Sequence, residues 1–202
     1  MQVQSGCKRA HKIPDLELVT YPLSRRNDVS SFCCENSDLN DFLKNDALIN
    51  QEQLINKTCV CYYQDQLVGY FTLTTDTIQV KSIDNSDCVD KFPYSKYPAL
   101  KLARLATHES FECRGVGSYM LHIAIYLTQK VSNIAGCRYI TVDSKPESVG
   151  FYIKHGFKLV KGSSKKEYPM LYLNMQPIVE ELEPTESLDP FVLDKEALED
   201  AE

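Results

Sequence analysis

The chain has 202 residues, of which 43% are hydrophobic and 25% charged; this composition is typical of one globular domain and excludes a wholly disordered or fibrous chain. The longest nearly apolar run, residues 119–127, contains His122 and is far shorter than the roughly 18 residues that cross a bilayer. No apolar stretch of a signal peptide follows the first residue. We therefore expect a cytoplasmic protein without a membrane segment.

The net charge of −6 is unevenly distributed along the chain. From Gln176 onward there are ten acidic residues and one lysine, so this part carries −9 and the rest of the chain +3. We predict a folded domain over residues 14–176 and an acidic tail over 177–202. The tail is either a solubilising extension or a segment that folds over a basic face and competes with an anionic substrate.

The hydrophobic pattern predicts a mixed α/β sheet. In chain order, the predicted elements are a strand over Leu16–Leu23, a helix capped by Ser37 or Asp38, a hairpin of Thr58–Tyr63 and Leu67–Thr75, a strand over Ala99–Thr107, a helix over Gly115–Lys130, a strand over Tyr139–Val142, a helix over Glu147–His155 and a strand over Met170–Met175. Residues 79–98 lack any period and contain two prolines. We expect a long loop there, and long loops in compact domains tend to be functional.

The eight cysteines and four histidines do not have the spacing of a metal site. No Cys-x-x-Cys pair occurs, and a zinc site needs paired ligands at short fixed spacing, so we expect no metal. In a cytosolic chain the thiols should stay reduced. Cys59 and Cys61 alternate along a predicted strand, so we expect both to be buried on one face.

A glycine-rich helix start follows the strand that ends at Thr107. It reads Arg114-Gly115-Val116-Gly117-Ser118. The unpaired amides and partial positive charge of a helix N-terminus suit phosphate, and glycine lets a ligand approach the backbone. Arg114 adds a charged donor. By itself the pattern is weak, because it lacks the further residues of a dinucleotide or nucleotide loop.

A second motif ends the helix predicted over Glu147–His155. It reads Phe151-Tyr152-Ile153-Lys154-His155-Gly156-Phe157, and by itself it could be no more than core and half-buried aromatic residues. The order of the two motifs, separated by one helix and one strand, resembles the GNAT (Gcn5-related N-acetyltransferase) superfamily. The resemblance covers about Leu16–Met175 and implies the GNAT fold, a mixed central β-sheet of six to seven strands flanked by about four helices.

The resemblance implies acetyl transfer from acetyl-CoA, a cosubstrate, to an amine. In the family, loop amides hold the coenzyme pyrophosphate and the preceding strand offers backbone groups to the pantetheine arm. The matching cofactor-binding residues are Leu105, Ala106, Thr107, Arg114, Gly115, Val116, Gly117, Ser118 and Phe151. Glu112 departs from the family's Gln or Arg, and this acid would repel phosphate unless it points away or pairs with Arg114.

Tyr152 matches the family's tyrosine near the coenzyme sulfur and is therefore the candidate catalytic residue. When the amine attacks the thioester, charge develops on sulfur, and a phenol can donate to the departing thiolate as general acid. The pKa of a phenol, about 10, exceeds that of a thiol, about 8.5, so hydrogen bonding is favoured over full proton transfer. No general base is placed by the motifs; Asp143, Glu109 and His108 are candidates on spacing alone.

A third segment resembles one GNAT subgroup, the toxins of toxin–antitoxin pairs that acetylate the amino acid on charged tRNA. The matching residues are Cys34, Leu39, Asn40, Phe42, Leu43 and Ala47, together with Arg104-Leu105-Ala106, where Ala103 replaces a glycine. A buried helix face explains the apolar members, and a capping or loop-bonding role explains Asn40. The resemblance implies charged tRNA as substrate, a small antitoxin as partner and a homodimer.

Two classes of function stay open. One is an N-acetyltransferase acting on aminoacyl-tRNA or on a small-molecule or protein amine; the other is a catalytically silent module that binds acyl-CoA or a partner protein. An α-amine has a pKa near 8 and needs little help from a base, which favours aminoacyl-tRNA as the acceptor. Against it, the net charge of +3 on the residues before Gln176 is small for a protein that binds a phosphate backbone. Five lysines cluster within residues 154–166 and form either an ordinary solvated turn or a binding patch for phosphate. They are Lys154, Lys158, Lys161, Lys165 and Lys166.

Overall fold

The strands of the protein form one mixed sheet. The computed structural model describes residues 11–182, and within them the seven strands lie in the order β1-β2-β3-β4-β5-β7-β6. Their bounds are β1 Leu18–Pro22, β2 Lys57–Tyr63, β3 Gln66–Gln79, β4 Lys96–Thr107, β5 Tyr139–Asp143, β6 Lys158–Leu159 and β7 Met170–Asn174. Neighbouring strands are antiparallel except β4 and β5, which are parallel. The predicted mixed sheet is confirmed.

The helices flank this sheet. Their bounds are α1 Ser37–Asp41, α2 Ala47–Glu52, α3 Val116–Ser132, α4 Val149–Lys154 and α5 Gln176–Leu182, and a π-helical turn, Phe42–Asp46, joins the first two. The side-chain oxygen of Asn36 accepts a hydrogen bond from the Leu39 amide at 3.1 Å, so the predicted cap at Ser37 or Asp38 is wrong. Asn40 bonds both main-chain groups of Cys34, as predicted.

The predicted acidic tail begins in a helix. The helix α5 starts at Gln176, close to the predicted end of the folded domain. Residues 183–202, which complete the predicted tail, lie outside the described residues. The two readings of the tail therefore stay predictions.

The core lies on both faces of the sheet, because neighbouring residues of a strand point to opposite faces. On β3, Tyr70 packs against the buried side chains of residues 37–52, while Phe71 belongs to the cluster beneath α3. A Cβ on Gly69 would lie 2.6 Å from Met120 and 2.9 Å from the Ala106 carbonyl oxygen. The glycine thus allows α3 to pack closely on the sheet.

The cysteines of the described residues are free thiols with one exception. Cys59 and Cys61 are buried in the cluster beneath α3, as predicted, and burial raises the pKa of both thiols to about 11. Six of the cysteines within residues 11–182 are free thiols. Cys113 is disulfide-bonded, so the expectation of reduced thiols is wrong for this residue.

The loop between β3 and β4 is shorter than predicted, because the two strands stay paired out to Gln79 and Lys96. At its centre lies the buried side chain of Asp87, whose carboxylate accepts hydrogen bonds from the Lys158 ammonium at 2.9 Å and the Tyr172 hydroxyl at 2.8 Å. We call these three residues the Asp87 cluster. They fasten the loop to β6 and β7.

Candidate active site

A cleft opens where β4 leaves β5. The two strands pair only from Ala99 with Tyr139 to Lys101 with Thr141, whereas β4 stays paired with β3 as far as Thr107. The register of β3 and β4 shifts so that Ala103 has no partner residue, and such a bulge bends a strand. The edge of β4 beyond Lys101 therefore faces a cleft of about 720 Å³, which we call the β4–β5 cleft.

Tyr152 lines this cleft from α4. Its ring packs against Phe151 and Phe157, with centroid separations of 5.1 and 5.5 Å, and the residue is only 6% exposed. Burial raises the pKa of its hydroxyl far above the usual range of a phenol. Tyr152 therefore keeps a proton that it can donate into the cleft at neutral pH.

The start of α3 lies beside the cleft. Gly115 precedes the helix with a φ of 91°, in the left-handed region that favours glycine. No side chain caps the first turn, whose amides belong to Val116, Gly117 and Ser118. Because these amides have no partner within the helix, they can bind an anion.

Three of the predicted cofactor-binding residues meet at this corner. A Cβ on Gly117 would lie 3.6 Å from the Thr107 hydroxyl and 3.8 Å from the Phe151 ring. Leu105 and Ala106, on the free edge of β4, line the cleft with Thr107. The arrangement suits acetyl-CoA, because the strand edge offers main-chain groups to an amide-containing arm and the helix start offers donors to phosphate.

The side chain of Arg114 does not line the β4–β5 cleft. Its Nε donates to the His11 carbonyl oxygen at 3.3 Å, and its guanidinium lies 5.1 Å from the centroid of the Phe111 ring. It lines a second cleft of about 690 Å³ that also includes Asp65 of the β2–β3 turn, and we call this the hairpin cleft. The predicted contact of the Arg114 side chain with phosphate would require this arrangement to change.

Charged residues of both signs line the β4–β5 cleft. The acidic ones are Glu35, Asp38, Glu112, Asp143 and Glu147, and the basic ones are Lys101, Arg104 and Lys145. Burial raises the pKa of the Glu112 carboxyl, and the nearby carboxylates of Glu35 and Glu109 raise it further. Within residues 11–182, Glu112 makes no ion pair with Arg114. The acidic surplus suits a substrate that carries an ammonium group.

The three candidate general bases occupy different positions. Asp143 lines the β4–β5 cleft but is paired with Lys101. His108 lies in the hairpin cleft, where its Nδ1 accepts a hydrogen bond from the Ser110 amide at 3.2 Å. Glu109 is exposed and lines neither of the two clefts. The structure therefore singles out none of them as a base.

The cleft residues that sequence reasoning missed include Lys145 and Tyr168. They are 23 positions apart in the sequence and share no motif. The chain brings them together because the Ser144 amide donates to the Pro169 carbonyl oxygen at 2.9 Å. The only signal in the sequence was the run of lysines that precedes Tyr168.

Two kinds of feature are absent from residues 11–182. None of their helices has both the length and the apolar character needed to cross a membrane. Their histidine, cysteine and acidic side chains form no group of three that could hold a metal ion.

Comparison with known proteins adds three relatives and one family. Residues 55–159 match the family model described as Acetyltransferase (GNAT) domain. The chain is 28% identical over 138 residues to a tRNA-acetylating toxin of Mycobacterium tuberculosis, covering 68% of this chain and 82% of the relative. It is also similar to AtaT complexed with acetyl-methionyl-tRNAfMet, with a TM-score of 0.73, 22% identity and coverage of 80% and 96%. A tyrosine-to-phenylalanine mutant of the AtaT toxin, bound to the C-terminus of the antitoxin AtaR and acetyl-CoA, gives a TM-score of 0.65, 20% identity and coverage of 80% and 96%.

Proposed function

The chain belongs to the GNAT acetyltransferase family, and from this premise we propose that it acetylates the α-amine of an aminoacyl-tRNA. As a member of the family it is an N-acetyltransferase that takes its acetyl group from acetyl-CoA. The position of Tyr152 carries the proposal: a buried, protonated phenol lines the cleft where β4 leaves β5. Charged tRNA as acceptor is supported by the M. tuberculosis toxin and by the AtaT complex with acetyl-methionyl-tRNAfMet.

In this proposal, some residues at the cleft bind the coenzyme and Tyr152 assists the chemical step. Bound acetyl-CoA supplies a thioester, whose C–S bond breaks as the amine nitrogen bonds to the acetyl carbon. The free edge of β4 from Leu105 to Thr107 holds the arm of the coenzyme, and the amides of Val116, Gly117 and Ser118 hold its phosphates. Tyr152 donates a hydrogen bond to the departing sulfur. The pKa of a phenol exceeds that of a thiol and burial raises it further, so the phenol keeps its proton and stabilises the thiolate by hydrogen bonding. The proton that the attacking nitrogen loses passes to water, and the coenzyme leaves as the thiolate.

The acceptor amine needs little help to lose its proton. An α-amino group has a pKa of about 8, so a substantial neutral fraction exists near neutral pH. This agrees with a cleft in which Asp143 is already paired with Lys101. The carboxylates of Glu35 and Glu112 attract the ammonium form into the cleft.

Two further features belong to the proposal. A small antitoxin is the proposed protein partner, as in the AtaT structure bound to the C-terminus of AtaR. The proposed location is the cytoplasm, where charged tRNA is used. A homodimer stays a prediction.

The deciding experiment compares acceptors in one assay. Coenzyme A release from acetyl-CoA would be measured with charged tRNA, polyamines, free amino acids and peptides, and products would be identified directly because the protein's own thiols react with thiol reagents. We expect acetylation of charged tRNA and none of the free amines. Acetylation of a free amine alone would overturn the tRNA proposal and favour a small-molecule or protein amine. Binding of acetyl-CoA without any acetylation would favour a silent binding module.

A further inference from the structure

Tyr168 lies at the rim of the β4–β5 cleft. The residue is 52% exposed and lines the cleft. Within residues 11–182, its side chain has no hydrogen bond, ring contact or ion pair. Single exposed aromatic residues are common on protein surfaces, so its place beside the cleft is what makes Tyr168 informative.

The segment that carries Tyr168 is held in place. It joins β6 to β7, and the Lys166 amide donates to the Ser163 carbonyl oxygen at 3.0 Å within it. The buried hydroxyl of Ser163 accepts a hydrogen bond from the Met170 amide, and the Pro169 carbonyl oxygen accepts one from Ser144. The ring of Tyr168 is thus presented from a fixed turn, which lowers the entropy lost when a ligand stacks on it.

The lysines near Tyr168 fall into two groups. Lys158 pairs with Asp87, and Lys161 donates to the side chain of Asn85 at 3.0 Å. Lys165 and Lys166, three and two positions before Tyr168, are exposed and make no ion pair within the described part of the chain. Glu167 is the single acidic side chain between Val160 and Pro169, so this segment keeps a positive surplus.

We propose that Tyr168 stacks on the terminal adenine of the charged tRNA and that Lys165 and Lys166 contact the neighbouring phosphates. This inference rests on the proposed function, in which the reacting amine lies at Tyr152. An aminoacyl group is esterified to the ribose of the last nucleotide, so the base of that nucleotide lies further out, towards the rim. Aromatic stacking accepts any base, and lysines beside it neutralise the backbone.

The test uses three acceptors that share one amino acid: charged tRNA, the aminoacyl ester of adenosine and the methyl ester. Tyr168→Ala should raise KM about tenfold for the first two, equivalent to about 1.4 kcal/mol, and leave KM for the methyl ester unchanged. Tyr168→Phe should retain the wild-type KM because the ring is kept. Replacing Lys165 and Lys166 by alanine should raise KM for charged tRNA alone.

Tyr126→Ala is the matched control, because Tyr126 is 49% exposed on α3 and lies outside both clefts. It should leave all three KM values unchanged. An unchanged KM of Tyr168→Ala for aminoacyl-adenosine, or an equal rise for the methyl ester, would overturn the stacking proposal. If wild-type protein acetylates the methyl ester but neither adenosine-containing acceptor, the proposed tRNA substrate itself fails.

Discussion

Tyr152 and Tyr172 are buried tyrosines in different surroundings. Burial raises the pKa of both hydroxyls well above the usual value. Tyr172 donates to the Asp87 carboxylate at 2.8 Å and accepts from the Asp84 amide at 2.9 Å. Tyr152 has ring neighbours but lines an open cleft. A raised pKa therefore indicates burial, and the partners of the hydroxyl separate a structural tyrosine from a candidate catalytic one.

The carboxylates of the two regions show the same contrast. Burial by itself would raise the pKa of Asp87, but hydrogen bonds from Lys158 and Tyr172 outweigh it and lower the value. At Glu112, burial and neighbouring carboxylates act together and raise the pKa. The polar groups of the Asp87 cluster thus bind one another, whereas the β4–β5 cleft retains charged side chains that a bound ligand can pair with.

The largest expected effect comes from removing the Tyr152 hydroxyl. Tyr152→Phe should lower kcat by about 10²–10³-fold, the usual contribution of one hydrogen-bond donor to charge that develops in the transition state, while the free energy of unfolding stays within about 0.5 kcal/mol. Tyr172→Phe is the control: it should keep kcat but lose about 1–3 kcal/mol of stability. Steady-state kinetics and urea denaturation measure both. Equal kcat for Tyr152→Phe and wild type would remove the general-acid assignment.

The next effect concerns the Asp87 cluster. Asp87→Ala leaves the Lys158 ammonium and the Tyr172 hydroxyl without their acceptor, and should lower the free energy of unfolding by about 3 kcal/mol. Because folding lowers the pKa of Asp87, its stabilisation is present above its unfolded pKa of about 3.9 and is lost as the pH falls through the folded value. Denaturation curves at neutral and acidic pH should converge for variant and wild type. A constant difference between them would contradict this account.

The pH dependence of the rate gives a smaller effect. Initial rates at saturating acetyl-CoA should rise about tenfold per pH unit below the pKa of the acceptor amine, near 8, because only the neutral amine attacks. No falling limb should follow up to about pH 10, because burial keeps Tyr152 protonated. A falling limb between pH 8 and 10 that disappears in Tyr152→Phe would show that the phenol ionises earlier.

The smallest effect is expected at Arg114. Since its guanidinium packs over Phe111 in the hairpin cleft, Arg114→Ala should change KM for acetyl-CoA less than about threefold and lower stability by about 0.5–1 kcal/mol. Calorimetry and steady-state kinetics distinguish the two effects. A tenfold rise in KM with unchanged stability would mean that the side chain turns to the coenzyme, as the family resemblance implies.

Local patterns predicted much of the fold. The alternation in β2 and β3 and the helical spacing of Leu39, Phe42 and Leu43 reflect burial of one face, so they survive in the structure. The helix cap moved to Asn36 because several residues there can accept the same hydrogen bond. The short β6 was missed, since two residues carry no recognisable period.

The candidate site was also predicted only in part. Gly117, Thr107 and Phe151 meet as the order of the motifs implied. The long loop is held by the Asp87 cluster, and none of residues 80–95 lines either cleft, so its expected functional role stays a prediction. Its anchors come from β6 and β7, more than 70 residues further along the chain, and no local pattern reveals contacts of that range.

The sequence by itself determined the order of elements, the glycine-rich start of α3 and the identity of Tyr152 as the candidate acid. The first two depend on short-range periodicity and on the backbone freedom of glycine, whereas Tyr152 was identified from the resemblance to the GNAT superfamily. Only the tertiary structure decided that the Arg114 side chain faces a different cleft from Tyr152 and that Tyr168 stands at the rim of the β4–β5 cleft. The reason is that side-chain direction depends on packing between segments distant in sequence, such as the contact of Ser144 with Pro169.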